Sequence, residues 1–150
     1  MLLPAVLAEG FLRLMASKAA NAVETAQVLS SAYNSYAVTA QANGLPPLLT
    51  GLEKVRMAQV LVQSFIPGSG SRLARSGIAM SIATFWTGVV FGVGVFTLFP
   101  NALLEDSLNS AMRLGLSCEA AASNLAGCID AATHASIVTF PPPIGPVPLV

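Results

Sequence analysis

The residues of this sequence with the clearest chemical potential are Cys118, Cys128, Asp130 and His134, all within one stretch. Thiolate, imidazole and carboxylate all ligate metals, and a Cys–His pair can form an activated nucleophile. The spacing suits neither use. No zinc-ligand spacing is present and His134 is the sole histidine, so a packed or solvated imidazole is the simpler reading. Gly68-Ser69-Gly70-Ser71-Arg72 has the glycines of a phosphate loop. It lacks the Gly-Lys-Ser/Thr ending and follows a helical stretch, so it reads as a linker. Glu105 and Asp106 are adjacent, and on a helix they point in different directions, a poor arrangement for paired carboxylate chemistry. These residues predict no catalytic site, no metal and no cofactor: the chain reads as a non-enzymatic protein.

The two cysteines pose a separate question. On one continuous helix Cys118 and Cys128 stand roughly 15 Å apart, far beyond the Cα limit of roughly 7 Å for a disulfide. A bridge therefore requires a break between them, for which Gly127 is the candidate. Without that break they are two packed thiols.

The elements that must position these residues are unusually poor in charge. Hydrophobic residues make up 54% of the 150-residue chain and charged residues 9%, against about 25% charged in an average domain. Mean hydropathy is +0.70. Net charge is zero but unevenly spread: residues 1–75 carry six Lys/Arg and three Asp/Glu, residues 76–150 one and four. No basic cluster marks a nucleic-acid patch, so that partner class is excluded. Glu9, Arg13 and Lys18 interrupt the stretch where a signal peptide needs an apolar core, and lipidation motifs are absent.

From Ser76 to Leu104 there is no charged residue. Gly77 to Phe99, 23 residues, would span roughly 35 Å as a helix, enough for a bilayer core of roughly 30 Å. The run predicts a transmembrane helix over 77–99 and an integral membrane location, cellular, organellar or in a virion envelope. Arg72 and Arg75 before it and Glu105 and Asp106 after it place the N-terminal half on the cytoplasmic or interior side and the C-terminal half outside. Gly77, Ser81, Thr84, Gly88 and Gly92 recur at steps of three and four and form a small-residue face for helix packing, with Gly88 and Gly92 as a GxxxG pair. The Phe/Trp/Gly mixture of the same segment also fits a membrane-perturbing helix.

Upstream, Ala8, Phe11, Met15, Ala19, Ala22, Ala26, Leu29, Tyr33, Tyr36 and Ala40 form one stripe at coiled-coil spacing. They predict a single helix of nearly forty residues, ended by Asn43-Gly44 and Pro46-Pro47 and packed on a partner. Thr50 to Glu53 reads as a capping box opening a second helix, with Leu52, Val55, Val62 and Ile66 as its apolar stripe. Pro67 to Gly70 ends it. Beyond the span, Asn101 can cap a helix and Ser117 another, Ala-rich one; the tail after Phe140 has five prolines and reads as extended and docked along a neighbour.

Together these give an all-α membrane protein: an N-terminal helical hairpin (1–66), a linker (67–75), the transmembrane helix (76–100), a C-terminal helical hairpin (101–139) and a Pro-rich tail (140–150). Its expected function is a non-enzymatic structural subunit that oligomerises or anchors a larger membrane assembly, such as a virion membrane or a multi-subunit membrane complex. Its expected partners are the lipid bilayer, copies of itself and other subunits of that complex. The alternative is a membrane-remodelling viral protein, a membrane-fusion subunit or a holin-like lysis factor.

Overall fold

The computed structural model describes residues 2–17, 21–65, 71–111 and 115–150. Six helices, α1 (Pro4–Ser17), α2 (Ala22–Ala37), α3 (Leu52–Ser64), α4 (Ser71–Trp86), α5 (Asn101–Ala111) and α6 (Cys118–His134), are joined by four strands, β1 (Val90–Phe91), β2 (Gly94–Leu98), β3 (Ile137–Thr139) and β4 (Pro146–Pro148). Each helix packs on the next, and α6 packs back on α1, which closes a ring around the core. The strands form one antiparallel sheet in the order β1-β2-β3-β4. The fold is therefore mixed rather than all-α.

The transmembrane expectation is overturned. Among the described residues no helix is long and apolar enough to cross a membrane. The 77–99 run is split: α4 ends at Trp86 after 16 residues, and the rest is a β-hairpin. Gly88, at φ +80°, adopts the left-handed conformation that commonly ends a helix. Gly92, at φ +63°, takes the first central position of the two-residue turn between Phe91 and Gly94, where a hairpin favours glycine. The intended GxxxG pair is thus two turn glycines. With the span gone, the integral membrane location and the two-sided orientation lose their basis. Arg72 and Arg75 lie near the start of α4, and Glu105 and Asp106 near the start of α5.

The forty-residue helix is also corrected. Asn21 is extended (φ −157°, ψ 169°), and its side chain accepts from the Glu24 N–H, so it caps a new helix there. Ala19 of the expected stripe lies outside the described residues. Phe11, Ala26, Leu29, Tyr33, Tyr36 and Ala40 are buried, but against the molecule's own core rather than a partner helix. In α3 the stripe is rotated: Leu52 and Val55 are exposed, while Met57 and Leu61 are buried. Ile66 and the linker residues Pro67 to Gly70 lie outside the described residues.

The tail does dock, on its own domain. β4 pairs with β3, Leu149 is fully buried, and Val150 exchanges two main-chain hydrogen bonds with Gln41 (2.8 and 2.9 Å). The sheet caps one end of the ring: Trp86, the last residue of α4, stacks on Phe91 (5.9 Å between ring centres) and Phe96 (5.4 Å).

Candidate functional site

The five residues of the expected packing face go to different places. Gly77 lets α3 approach α4, since a Cβ there would lie 2.1 Å from the Ser64 Cβ. Ser81 is buried and its Oγ donates to the Ile78 carbonyl (2.8 Å). Thr84 is half-buried and donates to Met80 (2.8 Å). Gly88 and Gly92 sit in turns. Gly77 and Ser81 thus pack inside the chain's own core.

The residues with chemical potential all lie on α6, which runs unbroken through Gly127. Cys118, exposed at its first position, and Cys128, half-buried, are both free thiols, and burial pushes the Cys128 thiol pKa up. The break that a bridge needs is missing. Among the described residues no group of three or more His, Cys, Asp or Glu side chains could hold a metal ion. Instead Asp130 links two other groups. Tyr36 donates its hydroxyl to Asp130 Oδ1 (2.6 Å). His134 Nδ1 lies 3.0 Å from the Asp130 main-chain oxygen and 3.5 Å from Oδ2, a geometry satisfied by a proton on Nδ1. This arrangement holds the His134 ring against the last turn of α6.

Behind Asp130 the polar chain continues into the core. Trp86 Nε1 donates to the Tyr33 hydroxyl (2.6 Å), which meets Thr133 Oγ1 at 3.3 Å; Thr133 donates to the Ile129 carbonyl (2.8 Å). The ends of α2, α4 and α6 are tied together here. Burial raises the Tyr33 hydroxyl well above the ordinary tyrosine range, and its hydrogen bonds to Thr133 and Trp86 offset only part of this. Tyr36 is raised as well, by burial first and then by donating to a carboxylate that a phenolate would repel. The sequence places both tyrosines on a stripe expected to pack on a partner helix; partners about a hundred residues away in the same chain leave no local signal.

A second buried polar group fixes the start of α3. Glu53 is 4% exposed, and its Oε2 accepts from the Thr50 N–H (3.0 Å) and the Gly51 N–H (2.9 Å). The Thr50 hydroxyl donates to Oε1 (3.0 Å). Burial alone would raise this carboxyl, but the hydrogen bonds outweigh it and hold the pKa below the usual carboxylate range. The capping box is thus met on its glutamate side.

Two kinds of surface stand out. Grooves of about 380 and 530 Å³ flank α2 on its α1 and α3 sides, with Gln27 and Ser31 lining both. Their walls mix charged, polar and apolar groups. The other surface is the outside of the sheet. Three stretches without Asp, Glu, Lys or Arg, 38–52, 87–104 and 135–150, come together there. Phe91, Phe96 and Val138 point inward and are buried or partly buried. The register places Val90 opposite Val95, Val95 opposite Thr139 and Thr139 opposite Pro146, which makes one outward row. Leu48 extends it, its N–H bonded to the Val90 carbonyl (2.9 Å). A bulge at Thr97 brings Leu98 opposite Ile137. Leu48, Val93, Val95, Leu98 and Ile144 keep 46–70% of their surface exposed. No family model matches the chain, and no curated protein or solved structure matches it.

Proposed function

We propose that this chain is a non-enzymatic assembly subunit that docks onto other protein through the uncharged cap formed by its sheet. The supporting observation is the convergence of the three charge-free stretches on one exposed, apolar face. Single exposed apolar side chains are ordinary, whereas a contiguous patch of them marks an interaction surface. The low overall charge follows from the same cause. The chain's seven basic and seven acidic residues lie outside those stretches, and the cap is left to a partner.

The sheet's edges favour docking by the face. β4 carries Pro146 and Pro148, which offer no N–H to an added strand, and β1 is bridged by Leu48. Apolar burial on the face then supplies the driving force, at about 25 cal/mol per Å² removed from water.

The test is the native size of the assembly in cell extract. A chain carrying Val95→Lys and Leu98→Lys should sediment as a free subunit, while the wild type and a Ser31→Lys control in the α2 groove stay in the larger complex. Wild-type chain that runs free at 15.4 kDa in the same extract would remove the proposal.

A further inference from the structure

We infer that Asn43 is a spontaneous modification site, where the side-chain amide converts to aspartate and isoaspartate and so loosens the anchor of the tail. The site stands independently of the docking role. It rests on the geometry of residues 41–45, in the connection between α2 and α3.

Ala42 and Leu45 exchange both main-chain hydrogen bonds (2.9 and 3.0 Å), so Asn43 and Gly44 form a two-residue hairpin turn. Both have positive φ, +50° and +75°, the conformation that makes Asn-Gly a favoured pair for such a turn. Turn formation accounts for the pair; its reactivity is a further consequence. Both residues are exposed. The paired bonds use Ala42 and Leu45 alone, which leaves the Gly44 N–H and the Asn43 carboxamide without a hydrogen bond among the described residues. A Cβ built on Gly44 would meet nothing within 4 Å. The Gly44 nitrogen is thus hindered neither by a side chain of its own nor by a neighbour.

The reaction needs no reagent except water. The Gly44 nitrogen attacks the side-chain carbonyl carbon of Asn43 and gives its proton to solvent. A new C–N bond forms, the carboxamide C–N bond breaks, and that nitrogen leaves as ammonia after taking a proton from solvent. The product is a cyclic succinimide. Water then opens the ring at one of its two carbonyls. Cleavage at the side-chain carbonyl gives aspartate; cleavage at the main-chain carbonyl gives isoaspartate, with the chain rerouted through Cβ. Either product carries a new carboxylate, and nothing is oxidised or reduced.

The other five asparagines lack this combination. Asn34, Asn109 and Asn124 lie inside α2, α5 and α6, where the next N–H is committed to the helix ladder. The Asn21 side chain is held by the Glu24 N–H (2.9 Å). Asn21 and Asn101 both precede alanine, whose Cβ crowds the attacking nitrogen.

The turn is tied to the tail. Gln41 holds Val150 by two main-chain bonds, Ala42 is fully buried, and Leu45 lies against Gly92. Isoaspartate adds a main-chain carbon to the turn, so Ala42 and Leu45 no longer close over two residues and Gln41 loses its register on Val150. The new charge also falls within 38–52, a stretch that has none.

The experiment is incubation of the purified chain in warm, mildly alkaline buffer, with a urea-unfolded sample alongside and peptide mapping by mass spectrometry at intervals. Isoaspartate is counted by transfer of a labelled methyl group from S-adenosylmethionine with a protein-isoaspartate methyltransferase. In the folded chain residue 43 should lose its amide ahead of the other asparagines. Asn43→Gln, which must close a larger ring, should slow loss at that position at least about tenfold, a barrier change of about 1.4 kcal/mol. Circular dichroism confirms that the variant is folded. Amide exchange at Gln41 and Val150 should quicken as isoaspartate accumulates. An amide at residue 43 that persists in the folded chain but is lost in urea overturns the inference, because the turn then shields it. Earlier loss at another asparagine of the folded chain overturns it as well. Unchanged exchange at Val150 in the isoaspartate fraction overturns the loosening of the tail.

Discussion

The chain has only two tyrosines, and both report on the buried polar chain that joins α2, α4 and α6. Burial favours their neutral forms, so the folded-state values lie above the unfolded value of about 10. Their contribution to stability is therefore complete below about pH 10 and is lost as pH rises through the raised folded values. In a spectroscopic alkaline titration, tyrosinate should be absent near pH 10 while the circular dichroism is native, and should appear together with unfolding. A smooth titration centred near 10 on a folded chain would contradict the burial of both hydroxyls. At this scale the sequence was partly legible. The three-residue spacing of Tyr33 and Tyr36 marked a packing face, expected against a partner helix and found against the chain's own core, and their partners Thr133 and Asp130 lie on α6 and left no trace in local pattern. The cysteines show the converse: the distance argument for a continuous helix was sound, and α6 is continuous.

At the scale of elements, the stretch that misleads is Gly77 to Phe99. Lack of charge was read as one long helix, yet beyond Trp86 the sequence alternates Val90, Phe91, Gly92, Val93, Gly94, Val95 and Phe96, rich in strand-forming residues between turn glycines. Burial without charge is common to both states, and only the turn conformations of Gly88 and Gly92 separate them. Gly88→Val should therefore cost about 1–2 kcal/mol or more in denaturant unfolding, because a β-branched residue is forced to φ +80°. In a membrane helix the same change would be harmless or favourable, so an unchanged stability would count against the hairpin. The Pro-rich tail gives a parallel case. Its extended character was legible, but its docking site on Gln41 and β3 depended on the fold. Leu149→Ala should destabilise the chain by about 2–4 kcal/mol, since the side chain is fully buried. A free tail would show no effect.

For the whole molecule, the same composition that suggested a bilayer becomes a division of labour between a ring and its cap. The helical core buries Trp86, Tyr33, Phe85, Leu61, Leu104 and Leu108 completely; exposed large apolar side chains occur on the helices, as at Val23, Val55 and Met80, as well as on the sheet cap at Leu48, Val95 and Leu98. Five helices were expected and six are found, because the long N-terminal helix is two. The Ser117 cap and a helix starting at Asn101 were within reach of the sequence. The closure of α6 onto α1 and the four-stranded sheet were not, because strands of two to five residues pair across some forty intervening residues. The docking role depends on this architecture, so its most direct test is nuclear magnetic resonance of the purified chain in detergent-free buffer. Cross-strand contacts between Phe96 and Val138 and between Val95 and Thr139, with helical connectivities ending near Trp86, are the expected result. Unbroken helical connectivities from Gly77 to Phe99, with no contact to the tail, would contradict the account.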